Sequence, residues 1–245
     1  MTSKRLVLFV ALVGLLFVMA GVGTVAAQSA PDCSAVSYNG AGTEANPYEV
    51  GNVDQLQCIE EQGLDANYEV VSDIDASETA AWNSGKGFDP LGDDEDDSVI
   101  FFTGTFDGGS HTITDLTINR PSEDTVALFE AVGDGTDNGK VKDIRFEWVD
   151  VTGSATVAPL AGSNLGTIIR SSASGNADGD DNVGGLVGRN QNGEVSDSYA
   201  TTEVEGSGSF GQSGGLVGFN SGTIERSHAT GDVVGTSRAG GIVRT

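Results

Sequence analysis

From Leu160 to Thr245 the chain states one phrase three times and begins a fourth. The copies are LAGSNLGTIIRSSASGNADGDDNVGG from Leu160, LVGRNQNGEVSDSYATTEVEGSGSFGQSGG from Leu186 and LVGFNSGTIERSHATGDVVGTSRAGG from Leu216, and the last opens at Ile242. Their starts step by 26, 30 and 26 residues (160 to 186 to 216 to 242). A self-similar period of about 20–50 residues marks stacked repeats, because so short a unit can bury its apolar face only against its neighbours.

The shared positions are Asn164, Asn190 and Asn220; Gly166, Gly193 and Gly222; Ile168, Val195 and Ile224; Ser171, Ser198 and Ser227; Ala173, Ala200 and Ala229. The second copy is longer near Gln191 and in Ser207 to Ser213, which places its insertions in turns. Within the third copy Ser227, Ala229, Gly231 and Val233 alternate with His228, Thr230 and Asp232. A period of two is that of a strand with one side buried. The three-residue step from Ile224 to Ser227 breaks the alternation and predicts a corner. Stacked copies pair edge to edge about 4.8 Å apart, so matching residues form columns. The asparagines Asn164, Asn190 and Asn220 are the expected structural ladder, since their amides both donate and accept. Ile113, Leu116 and Ile118, then Val141, Ile144 and Phe146, keep the same steps of three and two, at successive spacings of 28 and 27 residues leading to Ile168 (113 to 141 to 168). The expectation is a β-solenoid of at least five coils, widest near its N-terminal end.

GGLVGFNSGTIERSHATGDVVG resembles the GLUG-motif repeat of secreted bacterial and archaeal surface proteins. FTGTFDGGSHTITDLTIN, from Phe102, is similar to a unit that often precedes those repeats, and DIDAS at Asp73 and GFDPLG at Gly87 fit the same region. The resemblance spans residues 48–245. It implies an all-β, right-handed parallel β-helix on large adhesin-like or host-interacting proteins, and no established activity.

Residues 1–27 read as a signal peptide: Lys4 and Arg5, an apolar stretch from Leu6 to Ala20, and a small-residue site at Val25 to Ala27. An uncleaved anchor is the alternative. Residues 28–67 read as a leader and capping helix, with Asn52 as cap and Val53, Leu56 and Ile59 on one face. Residues 68–245 read as the parallel β-helix, with repeats at 160–185, 186–215 and 216–241 and a truncated one at 242–245. Trp82, Phe88 and Pro90 are assigned to a long loop. Cys33 and Cys58, the two cysteines, are expected to form a disulfide in an exported chain.

The formal net charge is −24, and loss of Lys4 and Arg5 with the leader leaves −26. Such self-repulsion disfavours a compact state at low salt, whereas at molar salt the screening length falls to about 3 Å. A halophilic host is therefore expected. Nucleic acid is excluded as a partner, because phosphate neutralisation needs Lys and Arg.

No catalytic residue, cofactor site or metal site is expected. Gly211-Gln-Ser213-Gly-Gly fits a nucleophile motif without the following helix that such a turn needs. Gly206, Gly208 and Gly211 lack the helix a dinucleotide site requires. His111 reads as a turn residue and His228 as outward-facing. Asp93 to Asp97, Asp134 to Gly139 and Asp178 to Asp181 are weak cation candidates without EF-hand spacing. Arg170 and Arg226, flanking Asp197, form the best local constellation, read as a surface ion-pair ladder. Tyr199, Phe210 and Phe219 are the candidate exposed aromatics. The function expected is a non-catalytic adhesion, binding or display module, extracellular or at the cell surface, whose partner is a surface glycan or a protein. Contact with a membrane comes only through an uncleaved leader, and end-to-end self-association is expected at the open last coil. The alternatives are a carbohydrate-active enzyme, either a polysaccharide lyase or a glycosidase, and a spacer fragment of a larger surface protein.

Overall fold

The computed structural model describes residues 29–92, 99–136 and 138–244. The predicted signal peptide and the acidic run from Asp93 to Asp97 lie outside the described residues.

The described chain is an all-β parallel solenoid preceded by a helical region. It is bounded by four parallel walls. The first has seven strands, beginning at Tyr48–Val50 and Asn67–Val70 and continuing through Thr105–Asp107, Lys140–Lys142, Thr167–Ile169 and Glu194–Ser196 to Thr223–Glu225. The second includes Ile74–Asp75, Thr112–Thr114, Arg145–Thr152, Ser172–Gly179, Tyr199–Ala200 and His228–Ala229. Two five-stranded walls close the section. Along the first wall, four turns separate Thr105–Asp107 from Thr223–Glu225.

In the second copy, sequence alternation becomes burial residue by residue. Ser198, Ala200, Thr202, Val204 and Gly206 are buried, and Asp197, Tyr199, Thr201, Glu203 and Glu205 are exposed. The three-residue steps are corners whose middle residue is left-handed: Asp143 (φ 57°), Arg170 (φ 49°), Asp197 (φ 51°) and Arg226 (φ 49°). The extra residues of the second copy fall in turns, with Phe210 at a tip.

The interior tapers. Along one inward column of the second wall the residues run Ile74, Ile113, Phe146, Ala173, Ala200 and Ala229. Tyr68, Phe102, Phe106 and Phe129 fill the wide end, with Phe102 and Phe129 ring centres 4.6 Å apart. Burying each such side chain contributes about 1.5–3 kcal/mol.

The helical region covers the wide end. Asn52 accepts a hydrogen bond from Gln55 N–H and caps Val53–Gln57. Val53, Leu56 and Ile59 are buried in the same core as Val50 and Tyr68. Cys33 and Cys58 are bonded, tying the leader to this region.

Two expectations are corrected. Ile113 does not lie level with Val141: Phe106 does, and Ile113 pairs with Phe146 on the next wall. The turn at Gly108 to Ser110 lengthens this coil, so a match by spacing alone slips. The long loop assigned to Trp82, Phe88 and Pro90 is in part helical. The segment carrying Trp82, Ser77–Gly85, is a kinked 3₁₀ stretch, and both aromatics are buried in the core.

Candidate binding surface

The predicted ladder residues meet inside the stack. Asn164 Nδ2 donates to Asn190 Oδ1 at 2.8 Å, and Asn190 Nδ2 donates to Asn220 Oδ1 at 2.7 Å. The same two amide groups also donate to the carbonyls of Glu194 and Thr223, both at 3.2 Å. Asn164 and Asn190 are fully buried, so this column satisfies turn backbone and offers nothing to a ligand. A serine column runs beside it. Ser171 N–H donates to Ser198 Oγ at 3.2 Å and Ser198 N–H to Ser227 Oγ at 3.1 Å.

The corner constellation is larger than the sequence suggested. Arg170 grips Asp143 with Nε at 2.6 Å and Nη2 at 2.7 Å, and Arg226 grips Asp197 at 2.7 and 2.9 Å. The charges therefore alternate up the stack. The guanidinium hydrogen bonds hold the Asp143 and Asp197 carboxyls below the usual aspartate range. A carboxylate whose two oxygens are both engaged is a poor general base. Asp143 escaped notice, although the step of three from Val141 to Ile144 marks it as the same corner.

The other candidates disperse. Ser213 points inward from strand Gln212–Gly214 and is 2% exposed. His111 lies 3.2 Å from Asp73, which also accepts from Thr112 N–H at 2.9 Å. Asp134 accepts from Thr136 N–H and Oγ1 within its own turn, at 2.9 and 2.7 Å. Asp178 faces a groove with Asp150, Glu203, Glu205 and Asp232. Partial burial, then Glu205, Asp180 and Asp150, push its carboxyl up. Among the described residues, no cluster of three or more His, Cys, Asp or Glu is arranged to hold a metal ion. Phe219 lies under the Arg189 guanidinium at 5.9 Å.

What remains is a cleft on the outside of the second wall. Arg145, Ser172, Tyr199 and His228 form one outward column across four successive coils. The rings of Tyr199 and His228 are stacked, 5.5 Å apart at 13°. Beside them Trp148 is 67% exposed. Arg145, Trp148 and Tyr199, with Glu147, Ser174 and Thr201, bound a cleft of about 340 Å³ floored by Ser172.

Trp148 sits there because the strand bulges. Pairing with the next coil shifts register between Phe146 and Val149, and Trp148 takes the left-handed φ of 56°. Its N–H donates to Ser174 Oγ at 3.3 Å. At the same bend the preceding coil has Asp115 (φ 58°) and the following one Gly175 (φ 126°). Those residue types tolerate left-handed backbone and a bulky aromatic does not. Strain of this kind collects where a side chain must be held for a task.

The fold and the repeats define the class: a parallel β-solenoid carrying GLUG motifs, as the sequence resemblance suggested. The family model described as "The GLUG motif" matches residues 179–205 and 211–234. The chain is 36% identical over 155 residues to Halomucin of Haloquadratum walsbyi (strain DSM 16790 / HBSQ001), a match covering 62% of this chain and 2% of that protein. It is 31% identical over 140 residues to a protein of Evansella cellulosilytica provisionally named as a Gly-rich membrane protein, covering 55% of this chain and 15% of that one. The chain thus spans a small part of the length of either relative. A crystal structure from Bacteroides ovatus, provisionally named as an immunoglobulin A1 protease, superposes with TM-score 0.47 at 16% identity over 84% of this chain and 86% of that one.

Proposed function

We propose that the protein is an exported module of the cell surface or extracellular space that binds and displays rather than catalyses. The observation that carries this reading is the Trp148–Tyr199 cleft, an exposed aromatic site held on a wall of hydrogen-bonded strands. Sites on strands are more rigid than sites on loops. The corner carboxylates Asp143 and Asp197 are engaged by Arg170 and Arg226, which weighs against a lyase or glycosidase. The names of the relatives, a mucin-like name and a membrane protein, are compatible with a surface location.

The solenoid is right-handed, with at least five coils, in this reading. Ile224, Ala229 and Val233 of the last coil are only partly covered, where Val195, Ala200 and Val204 are buried. The charge of −24 suits a salt-rich environment.

The test uses intact producing cells and beads coated with the purified chain in molar salt. Antibody labelling of intact cells and retention of the beads on cell-envelope material are the expected results. Strict cytoplasmic retention, or beads that pass through unbound, would overturn the reading. Release of reducing or unsaturated ends from polysaccharide would favour the enzyme instead.

A further inference from the structure

We infer that the Trp148–Tyr199 cleft binds a neutral glycan chain running obliquely across the coils and not along one strand. The inference rests on the binding-module reading and names its ligand.

Trp148 and Tyr199 belong to coils two steps apart, so their strands are separated by about 9–10 Å at the usual 4.7–4.9 Å spacing. Trp148 lies three positions along its strand from Arg145, the residue of that coil in Tyr199's column, so a chain touching both rings crosses the coils obliquely. Between them the intervening coil contributes Ser172 and Ser174, whose small side chains leave the floor open. A pyranose ring presents a C–H face to an aromatic ring and hydroxyls at its rim. The cleft offers both partners: indole and phenol rings for the faces, and Arg145, Glu147, Ser172, Ser174 and Thr201 for the hydroxyls. A few placed polar groups around apolar and aromatic walls are what fixes a small ligand's orientation. Trp and Tyr supply contact area with little rotamer freedom to lose. His228 stacked on Tyr199 holds that ring and extends the platform by one coil.

Charge selects among glycans. At the cleft Arg145 and Glu147 offset each other. Further along the same wall lies the groove of Asp150, Asp178, Glu203, Glu205 and Asp232. Lying beside the cleft on the same coils, these carboxylates repel an anionic polysaccharide bound there, whereas a neutral one is not repelled.

The chain's two tryptophans make the test direct, because Trp82 is buried in the core and Trp148 is exposed. The full chain in molar salt is titrated with neutral hexasaccharides (gluco-, manno- and xylo-oligomers) and with oligogalacturonate, reading tryptophan fluorescence. Affinity electrophoresis through gels holding neutral or anionic polysaccharide provides a second reading. Expected are a saturable change with at least one neutral series, loss of that change in Trp148→Ala, a tenfold or larger weakening in Tyr199→Ser, and no effect of Phe210→Ser. Unchanged Trp82 emission shows that Trp148→Ala is folded, and an unchanged denaturation midpoint shows the same for Tyr199→Ser and Phe210→Ser. Tighter binding to oligogalacturonate, or neutral-gel retention unaltered by Trp148→Ala, overturns the inference. If no neutral glycan binds but coated beads still adhere through Trp148, the cleft takes a protein. The glycan inference then falls while the adhesion reading stands. If the beads do not adhere at all, the adhesion reading itself falls.

Discussion

The two ends of this solenoid are held together by different physics. The early coils are wide and filled with Tyr68, Phe102, Phe106, Phe129 and Phe146, all essentially buried. The late coils lack buried aromatic rings, and their inward columns are alanine, serine, valine and asparagine with Leu186 and Leu216 as the largest side chains. Burial of apolar area scales with side-chain size, so a coil without such rings gains less of it. The late half instead satisfies its corners with amide, hydroxyl and ion-pair columns that repeat every coil. A repeat built on such columns tolerates copying, because each copy brings both the donor and the acceptor its neighbours need. The aromatic end does not repeat, and it is the end covered by the helical region and fastened by Cys33–Cys58.

The sharpest way to break this contrast is to remove a large ring from the wide end. Phe106→Ala should destabilise the chain by about 3–5 kcal/mol, read as a drop in the denaturation midpoint in molar salt. Ala200→Gly, on an inward column of the late end, should cost only about 1 kcal/mol. Equal losses would mean that the halves do not differ in kind.

Cutting the amide column comes next. Asn190→Ala leaves the amide group of Asn164 without its Asn190 partner and the Thr223 carbonyl without its donor, inside the stack. Orphaned buried groups cost on the order of 1–3 kcal/mol each. The double variant Asn164→Ala, Asn190→Ala should cost less than the two single losses together, because the groups orphaned by one are removed by the other.

Smaller effects come from the outer charges. The folded-state carboxyl of Asp178 is raised, so the folded chain binds more protons there than the unfolded one, and stability falls as pH rises through that range. Asp178→Asn should therefore raise the midpoint at neutral pH, with a gain that loses only its Coulombic share in molar salt, since burial is the larger cause, and vanishes below the ordinary aspartate pKa of about 4. Asp143 and Asp197 behave oppositely. Their carboxyls are depressed, so their contribution is present above the ordinary range and is lost as pH falls below it. Arg226→Ala should give the smallest change of the series, since that pair is largely exposed and screened.

The contrast also explains what was legible in the sequence. The late coils could be read residue by residue, since a column of identical asparagines leaves one register. In the early coils any large apolar residue fills the space equally well, so Ile113 was matched to Val141 when the turn at Gly108 to Ser110 had moved it onto the level of Phe146. Trp148 was missed for a related reason. Two residues after the inward Phe146, simple alternation would turn it inward too. The bulge reverses its side, and the sign of that reversal was the spacing of Phe146, Val149 and Val151, a step of three and then two as at the corners. The cleft depends on that local exception to the period, which repeat matching is blind to.

The stacking itself is best tested on the side-chain amides of asparagine by nitrogen-15 NMR in high salt. If Asn164 and Asn190 are stacked in the dry interior, their NH2 protons exchange slowly and show cross-peaks to the asparagine of the next coil, while exposed Asn176 exchanges freely. Fast exchange at Asn164 and Asn190, equal to that of Asn176, would contradict the stacked columns and with them the wall on which the proposed site is placed.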